Sequence, residues 1–234
     1  MSTKIYLHQV DSTSDYLRLH RDEYGDFSFV YADEQTSGHG RLGRSWLAHP
    51  KENLTFSFII KDPSKLSLGS RITLLVATSV ARVLEGYGLD PEIKWPNDIY
   101  LHGKKAVGIL LEGSLPDYVI VGVGINVNQL SFEGEYRRTP TSLALELGKS
   151  IDLDVFREQV FNALSTSFNQ IQLSYKESLS YFKKHDYLCG KSVLLEGRGP
   201  YQVLGIDDDF NVLLKDCEGT ILRNTSGELT ILDE

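Results

Sequence analysis

Apolar residues at Leu68, Ile72, Leu75, Val76, Val80, Val83, Leu84 and Tyr87 recur at the spacing of one helical face, which predicts a core-packed helix. Shorter apolar runs predict strands at Ile5–Leu7, Phe27–Tyr31, Leu54–Ile60, Ile93–Trp95, Ile99–Leu101, Ala106–Glu112 and Tyr118–Ile125. His102-Gly103 reads as a hairpin turn between two of them. Asp11-Ser12-Thr13-Ser14 offers N-caps for a helix through Tyr16, Leu17 and Leu19, and Thr141-Ser142 precedes a short one. Asp152 or Asp154 caps a longer helix carrying Val155, Phe156, Val160, Leu164 and Phe168, ending near Tyr175, and a further short helix covers Ser178–Lys184. The pattern predicts an α+β fold, a mixed or antiparallel sheet with helices to one side.

From about Asp186 the texture changes to brief β-rich runs, S-V-L-L, Y-Q-V-L-G-I, N-V-L-L-K and L-T-I-L, separated by Gly/Asp-rich turns. This predicts a small SH3-like barrel, with the domain boundary near Tyr187: residues 1–186 as the larger unit and 187–234 as the smaller.

Between Thr36 and Trp46 the chain reads T-S-G-H-G-R-L-G-R-S-W, and no acidic residue occurs from Thr36 to Lys51. Gly38, Gly40 and Gly43 allow close backbone approach, Arg41 and Arg44 supply forked, permanent charges, and Trp46 offers a flat face. Such a segment is either an anion-binding loop or a solvated turn. Walker A spacing is absent, and so is the strand-then-long-helix setting of a dinucleotide fingerprint. Lys94-Trp95-Pro96-Asn97-Asp98 places a proline at a strand end, so Asn97 and Asp98 are expected in a loop. Gly122-Val123-Gly124-Ile125-Asn126 is a glycine-interrupted strand that lets a ligand reach the backbone, or a bulge.

With 234 residues, 41% of them hydrophobic, the chain can bury a sizeable core. A net charge of −8 argues against non-specific nucleic-acid binding. Positive charge gathers locally at 39–51, Lys94 and Lys104-Lys105, which suits a small anion. Cys189 and Cys217 suggest neither a disulfide framework nor a zinc site. No apolar stretch approaches the roughly 20 residues of a membrane span, and no signal-peptide pattern opens the chain, so a cytoplasmic location is expected.

Taken in order, D-S-T-S, G-H-G-R-L-G-R-S-W, K-W-P-N-D, the K-x-x-G-I-L hairpin from Lys105 and G-V-G-I-N closely resemble the motif series of the biotin protein ligases. The resemblance implies a class II synthetase-like catalytic core and an ATP-dependent ligase that modifies protein. Biotin and ATP condense to biotinyl-5'-AMP, and a lysine of a biotin carboxyl carrier domain then displaces AMP. Mg²⁺ is implied with the ATP phosphates, with no protein ligands assigned. Ser12, Thr13, Ser14, Gln35, His39, Gly40, Arg41 and Lys105 would bind biotin. Arg41, Arg44, Trp46, Lys94, Asn97, Lys105 and Asn126 would bind ATP or the adenylate, with Lys105, Arg41 and Asp98 catalytic. Asp98 would orient or deprotonate the incoming amine.

His39 stands where arginine is common, and Ser14 where asparagine is. About ten residues precede the D-S-T motif, too few for a helix-turn-helix unit, so no DNA partner is expected. No membrane partner is expected either, and a homodimer is left open. Two rival readings remain: a lipoate or octanoate ligase of related fold, and a non-catalytic binder of biotin or nucleotide.

Overall fold

The computed structural model describes residues 3–134, 136 and 138–232. β1 (Lys4–Val10) passes through Ser12, whose Oγ accepts from the Asp15 amide, into α1 (Thr13–Leu19). β2 (Phe29–Gln35) runs parallel to β1 and begins later than the Phe27–Tyr31 run suggested, because Phe27 holds a left-handed φ of 62° outside the strand. β3 (Leu54–Ile60) matches its predicted limits. The short α2 (Pro63–Leu66) leads to α3 (Arg71–Gly86), the buried helix that the periodicity predicts. β4 (Pro91–Lys94), β5 (Asp98–Leu101), β6 (Lys104–Ser114) and β7 (Tyr118–Ile125) complete a seven-stranded sheet ordered β1-β2-β3-β7-β6-β5-β4. Its pairings other than β1-β2 are antiparallel.

Strand alternation gives this sheet two different faces. Phe29, Phe56, Phe58, Val121, Val123 and Ile109 point to one side, into a core shared with α3 and with Phe156, Phe161 and Phe182 of the later helices. Val30, Ile59 and Ile120 point to the other and pack against Leu17 of α1. The helices are therefore not all on one side. α1 covers the second face because only there do three buried aliphatic side chains remain to be shielded from water. Farther along that face the same alternation brings up Ser57, Gly108, Gly122 and Gly124, residues too small to fill space, and a cavity opens over them.

α4 (Leu143–Leu147) is capped by Ser142, and α5 (Leu153–Asn169) by Asp152, whose carboxylate accepts from the Asp154 and Val155 amides. α5 ends well before Tyr175. Gln170, at φ −125° and ψ 46°, breaks the chain direction, and α6 (Ile171–Lys184) starts at once rather than at Ser178. Neither proline nor glycine marks this break; packing on α3 sets it, through Ser79 to Ser167 of α5 and Thr78 to Ser178 of α6, both at 2.7 Å.

The remaining strands, β8 (Ser192–Leu195), β9 (Arg198–Ile206), β10 (Val212–Lys215), β11 (Ile221–Asn224) and β12 (Leu229–Ile231), form a second, antiparallel sheet ordered β11-β10-β9-β8-β12. β11 has no counterpart among the predicted runs, since it is largely exposed and lacks apolar alternation. The described pairings leave β11 and β12 as the sheet's edges. The two sheets share one buried cluster, which includes Val193, Val203, Leu214 and Leu229. At the junction Tyr187 stacks on Tyr100, ring centroids 4.6 Å apart, and its amide donates to the Ile93 carbonyl at 3.1 Å. No helix among the described residues is long and apolar enough to cross a membrane.

Candidate active site

At one end of the cavity, the N-terminus of α1 meets the end of β2. Gln35 Oε1 accepts from the Thr13 amide at 2.8 Å and from its hydroxyl at 2.9 Å. Ser57 Oγ lies 2.7 Å from Thr13 Oγ1 and 2.9 Å from Ser14 Oγ. Four buried or half-buried polar side chains thus form one chain of hydrogen bonds beside Ser12. This end suits a neutral ligand group that both donates and accepts, because its hydroxyls can reverse their roles.

The glycine loop forms the next wall. The Trp46 amide donates to Gly38 O at 2.8 Å and the Gly40 amide to Arg44 O at 2.6 Å, so the loop folds back on itself. A Cβ at Gly38 would lie 2.8 Å from Trp46 O, which leaves room only for glycine. The Trp46 ring lies on the glycine floor: a Cβ on Gly124 would be 2.2 Å from it and one on Gly108 2.9 Å. Arg41 donates to Asn97 Oδ1 at 3.2 Å and to Gly227 O at 3.3 Å. Arg44 holds Glu228 in a forked pair at 2.9 and 2.7 Å, which raises the guanidinium's already high pKa. The loop's charges are therefore engaged by the second sheet rather than free in solvent.

The K-W-P-N-D segment divides its labour. Trp95 is structural, buried and donating from Nε1 to Phe210 O at 3.0 Å. Asn97 Nδ2 donates to Ile109 O at 2.7 Å and fastens the β4-β5 turn to β6. Asp98 Oδ1 and Lys105 Nζ are 2.8 Å apart. Lys105 also sits 5.8 Å from the Trp46 ring, while Lys94, buried, lies 5.5 Å from that of Tyr100. Asn126 is buried and spends its Nδ2 on Thr141 O at 2.9 Å.

These walls enclose about 490 Å³, and every site residue nominated from sequence lines that one cavity. Ser57, Phe132, Tyr136, Arg138 and Glu228 line it as well. Ser57 carries a signal, a hydroxyl in the otherwise apolar F-S-F-I-I run. Glu228 has none, since only the packing of the second sheet brings it to Arg44.

Fold and cavity together define an α+β domain in which one cavity joins a hydroxyl-lined end to a charged end. The chain belongs to the biotin/lipoate A/B protein ligase family, whose model matches residues 6–126. It is 34% identical over 212 residues to a bifunctional ligase/repressor BirA of Bacillus spizizenii, covering 82% of this chain and 62% of that protein. A biotin–[acetyl-CoA-carboxylase] ligase of Mycobacterium tuberculosis is 28% identical over 87% of this chain and 75% of its own length. Among solved structures, a biotin protein ligase from Aquifex aeolicus in complex with biotin and ATP superposes with a TM-score of 0.87, at 32% identity over 99% of both chains.

Proposed function

We propose that this protein is an ATP-dependent biotin protein ligase that forms biotinyl-5'-AMP and transfers the biotinyl group to a lysine of a biotin carboxyl carrier domain. The observation that carries the reading is the single cavity that joins the hydroxyl-lined end at Ser12, Thr13, Ser14 and Gln35 to the charged end at Lys105, Arg41 and Asp98. The ureido head would exchange hydrogen bonds with those hydroxyls and with the backbone of His39 and Gly40. The carboxylate would then lie toward Lys105. Trp46 and Asn126 would take adenine: the ring by stacking, and Asn126 Oδ1 by accepting from the base's amino group.

A biotin carboxylate oxygen attacks the α-phosphorus and pyrophosphate leaves; the carrier amine then attacks the acyl carbon, AMP leaves and the amine loses a proton. Lys105 and Arg41 offset the repulsion of two anions brought together. Among the described residues no group of three or more His, Cys, Asp or Glu side chains could hold a metal by itself. Mg²⁺ would thus enter with the ATP phosphates, supplying charge neutralisation, with Asp98 and Lys94 on that side. Residues 1–186 would form the catalytic domain and 187–234 an SH3-like one, located in the cytoplasm.

Biotin-dependent pyrophosphate release from MgATP without carrier tests the reading. A folded preparation that releases none would overturn it, and release with lipoate or octanoate instead of biotin would favour the related acyl ligases.

A further inference from the structure

We propose that His39, Glu112, Arg18 and Asp15 form a charged clasp that closes the glycine loop over the biotin end of the cavity and sets how long biotin stays bound. This rests on the biotin reading above. His39 Nε2 lies 3.3 Å from Glu112 Oε2, and its Nδ1 lies 3.8 Å from Asp15 Oδ2. Arg18 donates to Glu112 Oε2 at 3.0 Å and also pairs with Asp15, one turn away on α1. Glu112 is two residues beyond Leu110 on the same face of β6, so it stands just outside the wall that Leu110 contributes.

Of the four side chains, His39 alone belongs to a cavity-lining residue. The others act on the ligand only through it, as positioning residues. Three separate walls meet at this cluster: the α1 N-terminus, the glycine loop and β6. The loop has few other means of attachment at this end. From His39 to Leu47 no residue is buried, and the Gly40-Arg44 and Gly38-Trp46 backbone bonds are internal to it. Arg44 and Arg41 fasten its other side to Glu228 and Gly227. Trp46 packs on Gly108 and Gly124, and Arg41 also donates to Asn97, so His39 is the tether on the side facing α1, and it lines the cavity wall.

The charged groups that face the imidazole are Asp15, with its partner Arg18, on α1 and Glu112 on β6. Whichever ring nitrogen carries its proton, the imidazole has a carboxylate on that side to receive it.

The test is the release rate of radiolabelled biotin from the full chain, chased with unlabelled biotin at low and at high salt. Native protein should release biotin faster at high salt, which screens partly exposed ion pairs. Glu112→Gln and His39→Gln should each speed release at low salt by about two- to fivefold, the scale of partly exposed ion pairs, and weaken the salt dependence. His39→Arg, which keeps donors and a permanent charge between the carboxylates, should keep release slow. Native protein that holds no biotin would remove the ligase reading and the clasp with it. Retained biotin, with the native release rate and salt dependence in both Gln variants, would overturn the clasp alone.

Discussion

Lys104 and Lys105 are adjacent in sequence and differ in surroundings. Lys105 meets Asp98 and lines the cavity, while Lys104 is half exposed and reaches Glu146 at 3.8 Å outside it. We expect Lys105→Ala to lower adenylation by roughly 10² or more, the scale of a lost electrostatic donor, and Lys104→Ala to cost far less. Equal losses in a pyrophosphate-release assay would mean that the cavity is not where the carboxylate reacts. The contact at 2.8 Å also bears on Asp98, since a carboxylate that holds Lys105 serves both half-reactions. Asp98→Asn should thus slow adenylation as well as carrier transfer, measured separately in single turnovers. A defect in transfer alone would return Asp98 to the incoming amine. Residue types and spacing pointed to these side chains, but their pairing was not legible, because the contact forms across the β5-β6 ladder after a bulge.

Among the elements, β7 divides the cavity by alternate glycines on one face. A Cβ at Gly122 would meet Ser14 Oγ at 2.9 Å, and one at Gly124 would enter the Trp46 ring at 2.2 Å. Gly122→Ala should therefore weaken biotin binding, whereas Gly124→Ala should displace Trp46 and raise the KM for ATP by about tenfold or more, as small misplacements in a reacting site do. Calorimetric biotin binding beside ATP kinetics would separate the two; if both variants lost only biotin affinity, Trp46 would not be part of the nucleotide side. The G-V-G-I-N pattern announced the close approach, yet what approaches is Trp46, about eighty positions earlier in the chain. The α5-α6 break and β11 were not legible for a related reason, as neither carries a breaker or an apolar period of its own.

At the scale of the whole molecule, the junction between the two sheets leaves Asp186 half-buried, beside Tyr187, which stacks on Tyr100. Burial pushes its carboxyl up to about 6, although the Leu188 amide donates to Oδ1 at 2.9 Å. An unfolded aspartate titrates near 3.9. The folded state then binds the proton more tightly, so stability is fully present below about pH 4 and is lost as pH rises through about 6. Asp186→Asn keeps an acceptor for the Leu188 amide and removes the half-buried charge. We expect it to be more stable than native at pH 7.5, by up to about 2 kcal/mol, with the difference closing near pH 4 in urea titrations. A variant less stable at both pH values would show that the hydrogen bond to the ionised group outweighs its desolvation.

The linear order of residues by itself determined the elements with strong periods, namely α3, β3 and the β6-β7 pair, and the segments that carry the chemistry, because local spacing and glycine placement are properties of short windows. It also determined the family, since five spaced motifs occur in order. Tertiary structure alone decided that α1 shields one end of the second sheet face and leaves the other open as the cavity. It also decided that Glu228 clamps Arg44, that His39 reaches Glu112, and that Lys105 faces Asp98. Each of these contacts joins groups distant along the chain or on separate strands, and their proximity depends on how the sheets twist and pack, which no local window of sequence encodes.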